Sequence, residues 1–339
     1  MTTLVTGGSG FVAGHCILAL LEQGHEVRAT VRSLSRVDTV RSVLTDAGMT
    51  RGDALTFVEA DLTDDAGWAD AVAGCDHVLH VASPVATENV TDSDAVIAAA
   101  REGTLRVLRA ARDAGVTRVV LTSAFHAVGW GHPHDGRTFT DDDWTVLDGP
   151  GTDAYARSKT LAERSAWDLL DGGPTELTTL LPVAVMGPVM GNAVSGSNLL
   201  LQRILNGGMP GYPDLWIPIV DVRDVADAHV RAMTADGAAG QRFLLASDPA
   251  MSLKQVGATL RDHMGDGAGK VPTRSIPSVV VRLAALFSAE FRPVVGDLGY
   301  AKKVSDSKAR RVLGWAPRPS VDAIVAAGES MVRRGLAGS

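Results

Sequence analysis

Through the first half of the chain, short runs of β-branched and aliphatic residues alternate with segments whose apolar positions recur every three to four residues. Thr3–Thr6 is such a run, and it leads directly into Gly7-Gly8-Ser9-Gly10. Phe11–Gln23 then carries Val12, Cys16 and Leu20, with Ile17 and Leu21 beside them, at helical spacing, and stops at Gly24. Glu26–Val31, Leu55–Glu59 and Asp76–Val81 read as further strands. Asp92–Ala114 reads as a long helix ended by Gly115, Arg118–Thr122 as a buried strand, Asp153–Leu170 as a helix and Leu177–Leu181 as one more strand. Strands separated by helical stretches predict an α/β fold with a parallel sheet covered on both faces.

After Pro182 the character changes. Gly187–Pro218 is rich in Gly, Pro, Asn and Met, which predicts irregular structure lining a cleft. Val222–Met233 resumes an amphipathic helix, followed by a strand at Arg242–Ala246, a helix at Leu253–His263 and a glycine-rich loop at Asp266–Lys270. Helices are expected near Val279–Phe287, Ser305–Leu313 and Val321–Arg334. The expected division is a nucleotide-binding domain over 1–186 with about 218–236, and a smaller discontinuous substrate-binding domain over 187–217 and 237–339.

Composition narrows the choice of partner. The 339 residues are 45% hydrophobic and carry a formal charge of −7. A mildly acidic chain without a dense basic block is a poor electrostatic match for nucleic acid. No apolar stretch is long enough to span a bilayer, and nothing at the N-terminus has the form of a signal peptide. Two cysteines, Cys16 and Cys75, make neither a disulfide framework nor a multi-cysteine metal site. A cytoplasmic monomer or homodimer acting on a small molecule is the expectation.

The first glycine cluster lies between a strand and a helix, where glycine allows a tight turn and close approach to a pyrophosphate that the helix N-terminus stabilises. Its spacing is Gly-x-x-Gly-x-x-Ala, with Gly14 after Ala13. At the end of the second strand, where an NAD-binding protein places a carboxylate for the ribose 2′-hydroxyl, stand Ala29-Thr30-Val31-Arg32-Ser33 and then Arg36. A guanidinium there suits a 2′-phosphate, so NADPH is expected, with NAD possible. Asp61 and Leu62 follow the third strand beside the expected adenine, and Val81, Ala82 and Ser83 end the fourth beside the cofactor bridge.

Tyr155 and Lys159 stand four apart on a predicted helix, hence on one face. The chain has only three tyrosines and six lysines, and Lys159 is the first lysine. An ammonium near a phenol favours phenolate and should lower the tyrosine pKa, which equips it to exchange a proton with a substrate oxygen. Thr122 and Ser123 end the adjacent strand on the same edge of the sheet, where a serine hydroxyl can hold a carbonyl.

Together these segments resemble the extended short-chain dehydrogenase/reductase superfamily, and within it the dihydroflavonol reductase-like carbonyl reductases. The matching stretches are Val5-Thr6-Gly7-Gly8-Ser9-Gly10-Phe11, Ala29–Arg32, Leu121-Thr122-Ser123, Tyr155-Ala156-Arg157-Ser158-Lys159 and Asp221–Ala226, with Ser305–Trp315 similar to the group's C-terminal helix. The resemblance implies a doubly wound (Rossmann) sheet and an NADPH-dependent reductase of ketones or aldehydes whose catalytic residues are Ser123, Tyr155 and Lys159. Expected cofactor contacts are Gly7, Gly10, Phe11, Val12, Arg32, Arg36, Asp61, Leu62, Val81, Ala82, Ser83, Thr122, Tyr155 and Lys159. By the same likeness, Pro182, Val183 and Val185 pass close to the nicotinamide. The chain departs from this pattern in two places: the group usually has two adjacent serines after the threonine, where this chain has Ser123-Ala124, and many superfamily relatives place an asparagine shortly before a Gly-Thr pair, where this chain has Ala100-Arg101-Glu102 before Gly103-Thr104.

Phe125, His126, Met186, Tyr212 and Trp216 fall in segments expected to roof the cleft, each with core packing as its plainer role. His126, His132 and His134 lack a carboxylate or cysteine at ligand spacing, so no metal is expected. Asp141-Asp142-Asp143 reads as a solvated acidic turn. Two other readings stay open: an NAD-dependent nucleotide-sugar epimerase or dehydratase of the same superfamily, and a non-catalytic nicotinamide-sensing protein.

Overall fold

The computed structural model describes residues 1–83, 93–247, 249–287 and 294–338. Asp92, the expected first residue of the long helix, lies outside them. Seven parallel strands form the central sheet: β1 (Thr2–Val5), β2 (Glu26–Val31), β3 (Leu55–Glu59), β4 (His77–His80), β5 (Arg118–Thr122), β6 (Glu176–Pro182) and β7 (Gln241–Leu245). Their spatial order is β7-β6-β5-β4-β1-β2-β3, so the winding reverses between β1 and β4. A crevice therefore opens beyond the carboxyl ends of these two strands, the usual ligand position in such sheets.

Both faces of the sheet are covered, which explains why the strands read as nearly continuous apolar runs. On one face Val5, Leu79, Val120 and Leu180 pack with α1 (Phe11–Glu22) and α4 (Val222–Thr234). On the other, Leu4, Val78, Val119 and Leu177 pack with α2 (Ser93–Asp113) and α3 (Ala154–Leu170). The alternation along each strand is the two-residue period of a pleated sheet.

A third apolar cluster joins Met186, Leu201, Tyr212, Leu260, Ile324 and Met331 in the C-terminal part. It draws on helices Asn198–Leu205, Leu253–Met264 and Ser320–Arg333. The first of these falls inside Gly187–Pro218, which the glycine content predicts to be irregular. Its apolar face is short, and the flanking glycines mask it. Helices Val37–Asp46 and Trp68–Val72 were likewise not anticipated. A 3-10 turn occupies Gly265–Ala268 at the expected glycine-rich loop. No described helix is long and apolar enough to cross a membrane.

Candidate active site

Gly7 adopts φ +71°, and a Cβ built there would meet the Ala82 Cβ at 3.0 Å. A Cβ at Gly10 would lie 3.1 Å from the Gly7 carbonyl oxygen. The turn is pinned by the Gly7 N–H donating to Thr30 Oγ1 and the Gly8 N–H donating to the Thr30 carbonyl, both at 2.8 Å. No side chain caps α1, and its first turn has no acidic residue. The positive end of the helix dipole is thus open to an anion, and the cradle fits a dinucleotide pyrophosphate.

Thr6 ties this turn to β4. Its oxygen accepts the Val81 and Ala82 N–H groups at 3.0 and 2.9 Å, which leaves its proton for His80 Nδ1 at 2.8 Å. Burial, with the Lys159 charge adding to it, pushes His80 down to about 3, so the ring is neutral.

At the adenosine end, Arg32 and Arg36 are exposed, and their side chains make no hydrogen bond or ion pair among the described residues. Asp61 accepts the Thr63 N–H and hydroxyl, both at 2.8 Å, and these bonds hold its carboxyl below the usual range. The Leu62 carbonyl is engaged by Arg106. One carboxylate that the stretch after β2 does not contain reaches it from β3: Glu59 accepts the Leu34 N–H at 3.0 Å.

Asp153 caps α3 by accepting the Ala156 N–H at 2.7 Å, and the helix then presents Tyr155 and Lys159 toward the sheet's carboxyl edge. Lys159 Nζ donates to Ser83 Oγ at 3.1 Å and lies 5.9 Å from the centroid of the Tyr155 ring. Burial drives the Lys159 ammonium down to about 8, against the opposing pull of Glu163. Tyr155 remains 47% exposed to the cleft. Crowding by the surrounding protein, and then the Asp153 carboxylate, push its phenol above 10. The lowering expected from Lys159 is therefore not realised in the chain alone: burial and Asp153 set the direction, and no hydrogen bond joins Lys159 to the phenol among the described residues.

Ser123 is placed differently from the expectation. It is 5% exposed and donates its proton to Glu163 Oε2 at 2.6 Å. A hydroxyl has one proton, so Ser123 in this arrangement has none to offer a carbonyl. Glu163 also accepts from Thr179 Oγ1 at 2.8 Å and pairs with Arg242 Nε at 2.8 Å. Neither Glu163 nor Arg242 was anticipated, although Glu163 continues the four-residue spacing of Tyr155 and Lys159. Thr122 donates to His229 Nε2 at 2.7 Å, because His229 Nδ1 must donate to the Val225 carbonyl.

Pro182 ends β6, Val183 is buried, and Val185 is half-buried in the short strand Ala184–Met186 that pairs with Ile219–Asp221. Among the five expected roof residues, Phe125, Met186 and Tyr212 are buried core side chains, which corrects their assignment to the cleft. Phe125 packs edge-on against Trp130 and Phe139. Trp216 is half-buried and donates its indole N–H to Asp214 at 3.0 Å. Of the five, His126 meets Tyr155, with ring centroids 4.8 Å apart in an edge-to-face contact. Trp130 stacks on His126 at 3.8 Å, and Lys302 Nζ sits 4.5 Å from the Trp130 centroid; neither residue lies in a motif or at a spacing that signals this contact. His132 and His134 turn elsewhere, to the Val128 carbonyl and the Tyr300 ring. Within the acidic turn, Asp141 is buried and accepts the Leu244 N–H, and Asp143 pairs with Arg137.

Residues 3–246 match the NAD dependent epimerase/dehydratase family, and the chain belongs to it. It is 35% identical over 248 residues to cinnamoyl-CoA reductase 1 of Arabidopsis thaliana, covering 72% of this chain and 70% of that one. To dihydroflavonol 4-reductase of Zea mays it is 31% identical over 268 residues, covering 77% and 74%. Among solved structures, Gre2 of Candida albicans in complex with NADPH is similar at 25% identity and a TM-score of 0.80, over 98% of this chain and 99% of that one.

Proposed function

We propose that the protein is an NADPH-dependent reductase that converts a small ketone or aldehyde into an alcohol. The observation that carries this reading is the exposed Tyr155 phenol beside Lys159, next to an uncapped helix N-terminus and glycine cradle suited to a dinucleotide. Similarity to named reductases and to an NADPH complex supports it. The nicotinamide, when bound, supplies the hydride that adds to the carbonyl carbon. As the carbonyl π pair moves onto oxygen, Tyr155 gives that oxygen its phenolic proton and regains one from solvent. Lys159 holds the ribose hydroxyls and steadies the transient phenolate, and Arg32 and Arg36 bind the 2′-phosphate.

The test is Tyr155→Phe, which keeps the ring and removes the proton. General acid catalysis contributes about 10²–10⁴-fold, so kcat for ketone reduction should fall by at least a hundredfold. NADPH affinity, titrated on the same preparation, should stay unchanged. Turnover within threefold of wild type would reject Tyr155 as the acid. Failure of the wild type to reduce any of a panel of aromatic and aliphatic ketones and aldehydes, with turnover of a nucleotide sugar instead, would favour the epimerase or dehydratase reading.

A further inference from the structure

A carbonyl in this cleft needs a second hydrogen-bond donor beside Tyr155, since charge builds on its oxygen as hydride arrives. The two positions after Thr122 do not provide one. Ser123 has spent its proton on Glu163, and Ala124 has no hydroxyl. We propose that His126 fills this place and donates a ring N–H to the substrate oxygen, a role that rests on the reductase reading above.

Four observations support it. His126 meets the Tyr155 ring edge-to-face at 4.8 Å between centroids, which sets the imidazole directly beside the proposed acid. Neither ring nitrogen of His126 has a hydrogen-bond partner among the described residues, whereas His80, His132 and His229 each make at least one such bond. The ring is held ready: Trp130 stacks on it with planes 18° apart, and its own carbonyl accepts the Thr145 hydroxyl at 2.7 Å. Finally, burial, then the charges of Lys302 and Lys159, lower it to about 3. The imidazole is therefore neutral at working pH. It has one N–H to donate and does not compete with Tyr155 to deliver a proton, which is how a neutral histidine polarises a carbonyl.

Two substitutions separate donor from packing. His126→Phe keeps a ring against Trp130 and loses the N–H; His126→Gln keeps an N–H and loses the ring. With acetophenone as the probe, kcat for His126→Phe should drop about a hundredfold, the usual effect of removing one such donor. His126→Gln should stay within tenfold of wild type, and both should bind NADPH within twofold of it. A second readout needs no turnover: in the complex with NADP⁺ and carbonyl-labelled acetophenone, the C=O stretch should lie lower in wild type than in His126→Phe. Should His126→Phe fail to fold, adding Ala124→Ser to His126→Ala should recover at least tenfold in kcat. Wild-type turnover or an unshifted carbonyl stretch in His126→Phe, or no recovery by Ala124→Ser, overturns the assignment while the reductase reading stands. Absence of carbonyl reduction by the wild type overturns both.

Discussion

Arg32 leaves the end of β2 exposed and without a hydrogen-bond or ion-pair partner among the described residues, while Glu59 comes to the same loop from β3 and caps Leu34. A 2′-phosphate would meet the guanidinium, and a bare 2′-hydroxyl would meet neither a free acid nor a dedicated acceptor in the Ala29–Ser33 stretch. A charge-assisted contact is worth about 1.5–3 kcal/mol, so Arg32→Ala should weaken NADPH binding roughly ten- to a hundredfold and leave NADH nearly unchanged. Equal losses in the two titrations would mean that Arg32 does not read the phosphate. The placement of such residues is legible because it is local: a strand end, a turn, four residues along a helix. Ser123 was not. Whether a hydroxyl faces substrate or protein depends on what lies opposite, and here a helix from elsewhere in the chain sets Glu163 against it.

The seven strands of the sheet fall within a residue or so of where alternation and β-branching put them, because each has a short β-branched or aliphatic centre bounded by polar turns. Asn198–Leu205 escaped because eight residues make barely two turns amid glycines. What joins elements was invisible, and Glu163 is the main case. From α3 it binds Ser123 just past the end of β5, β6 through Thr179 and β7 through Arg242. Arg242 in turn donates to the Asp141 and Asp143 carbonyls at 2.7 and 2.8 Å and lies 3.5 Å from the Trp144 ring centroid. Removing one partner of a buried ion pair leaves the other uncompensated, at a cost of about 3–5 kcal/mol. Glu163→Ala should therefore lower the unfolding free energy in urea by that order, and Glu163→Gln, which keeps one acceptor oxygen and the side chain's volume, by less. Equal stability of Glu163→Ala and wild type would show that the ion pair does not fasten α3 to the sheet.

At the scale of the whole molecule, four histidines are held neutral by burial on four different segments: His15 in α1 and His229 in α4, each lowered to about 4, and His80 and His126, each to about 3. In the unfolded chain a histidine titrates near 6.5, so between that value and the folded one the unfolded state binds more protons. Stability contributed by these rings is present above about pH 6.5 and is lost progressively as the pH falls toward 4 and 3. Asp141 and Asp224, whose carboxyls burial raises, act in the opposite sense on acidification, so the total slope mixes both signs. His229 isolates one contribution. It is fully buried, its shift comes from burial opposed only by the Val225 carbonyl bond, and no charged group acts on it. Unfolding it at pH 4.5 rather than 7.5 should therefore be easier by on the order of 2 kcal/mol on its account alone. His229→Gln removes the titration and leaves a neutral side chain with both a donor and an acceptor. The variant should be somewhat less stable than wild type at pH 7.5, through imperfect fit against Thr122, yet lose about 2 kcal/mol less on going to pH 4.5. Urea titrations of both proteins at the two pH values give four free energies and one difference of differences. If that difference is zero, His229 titrates in the fold as it does in the unfolded chain, and if its sign is reversed the ring is already protonated there; either way its bond from Thr122 at the edge of the cleft is not the neutral one described.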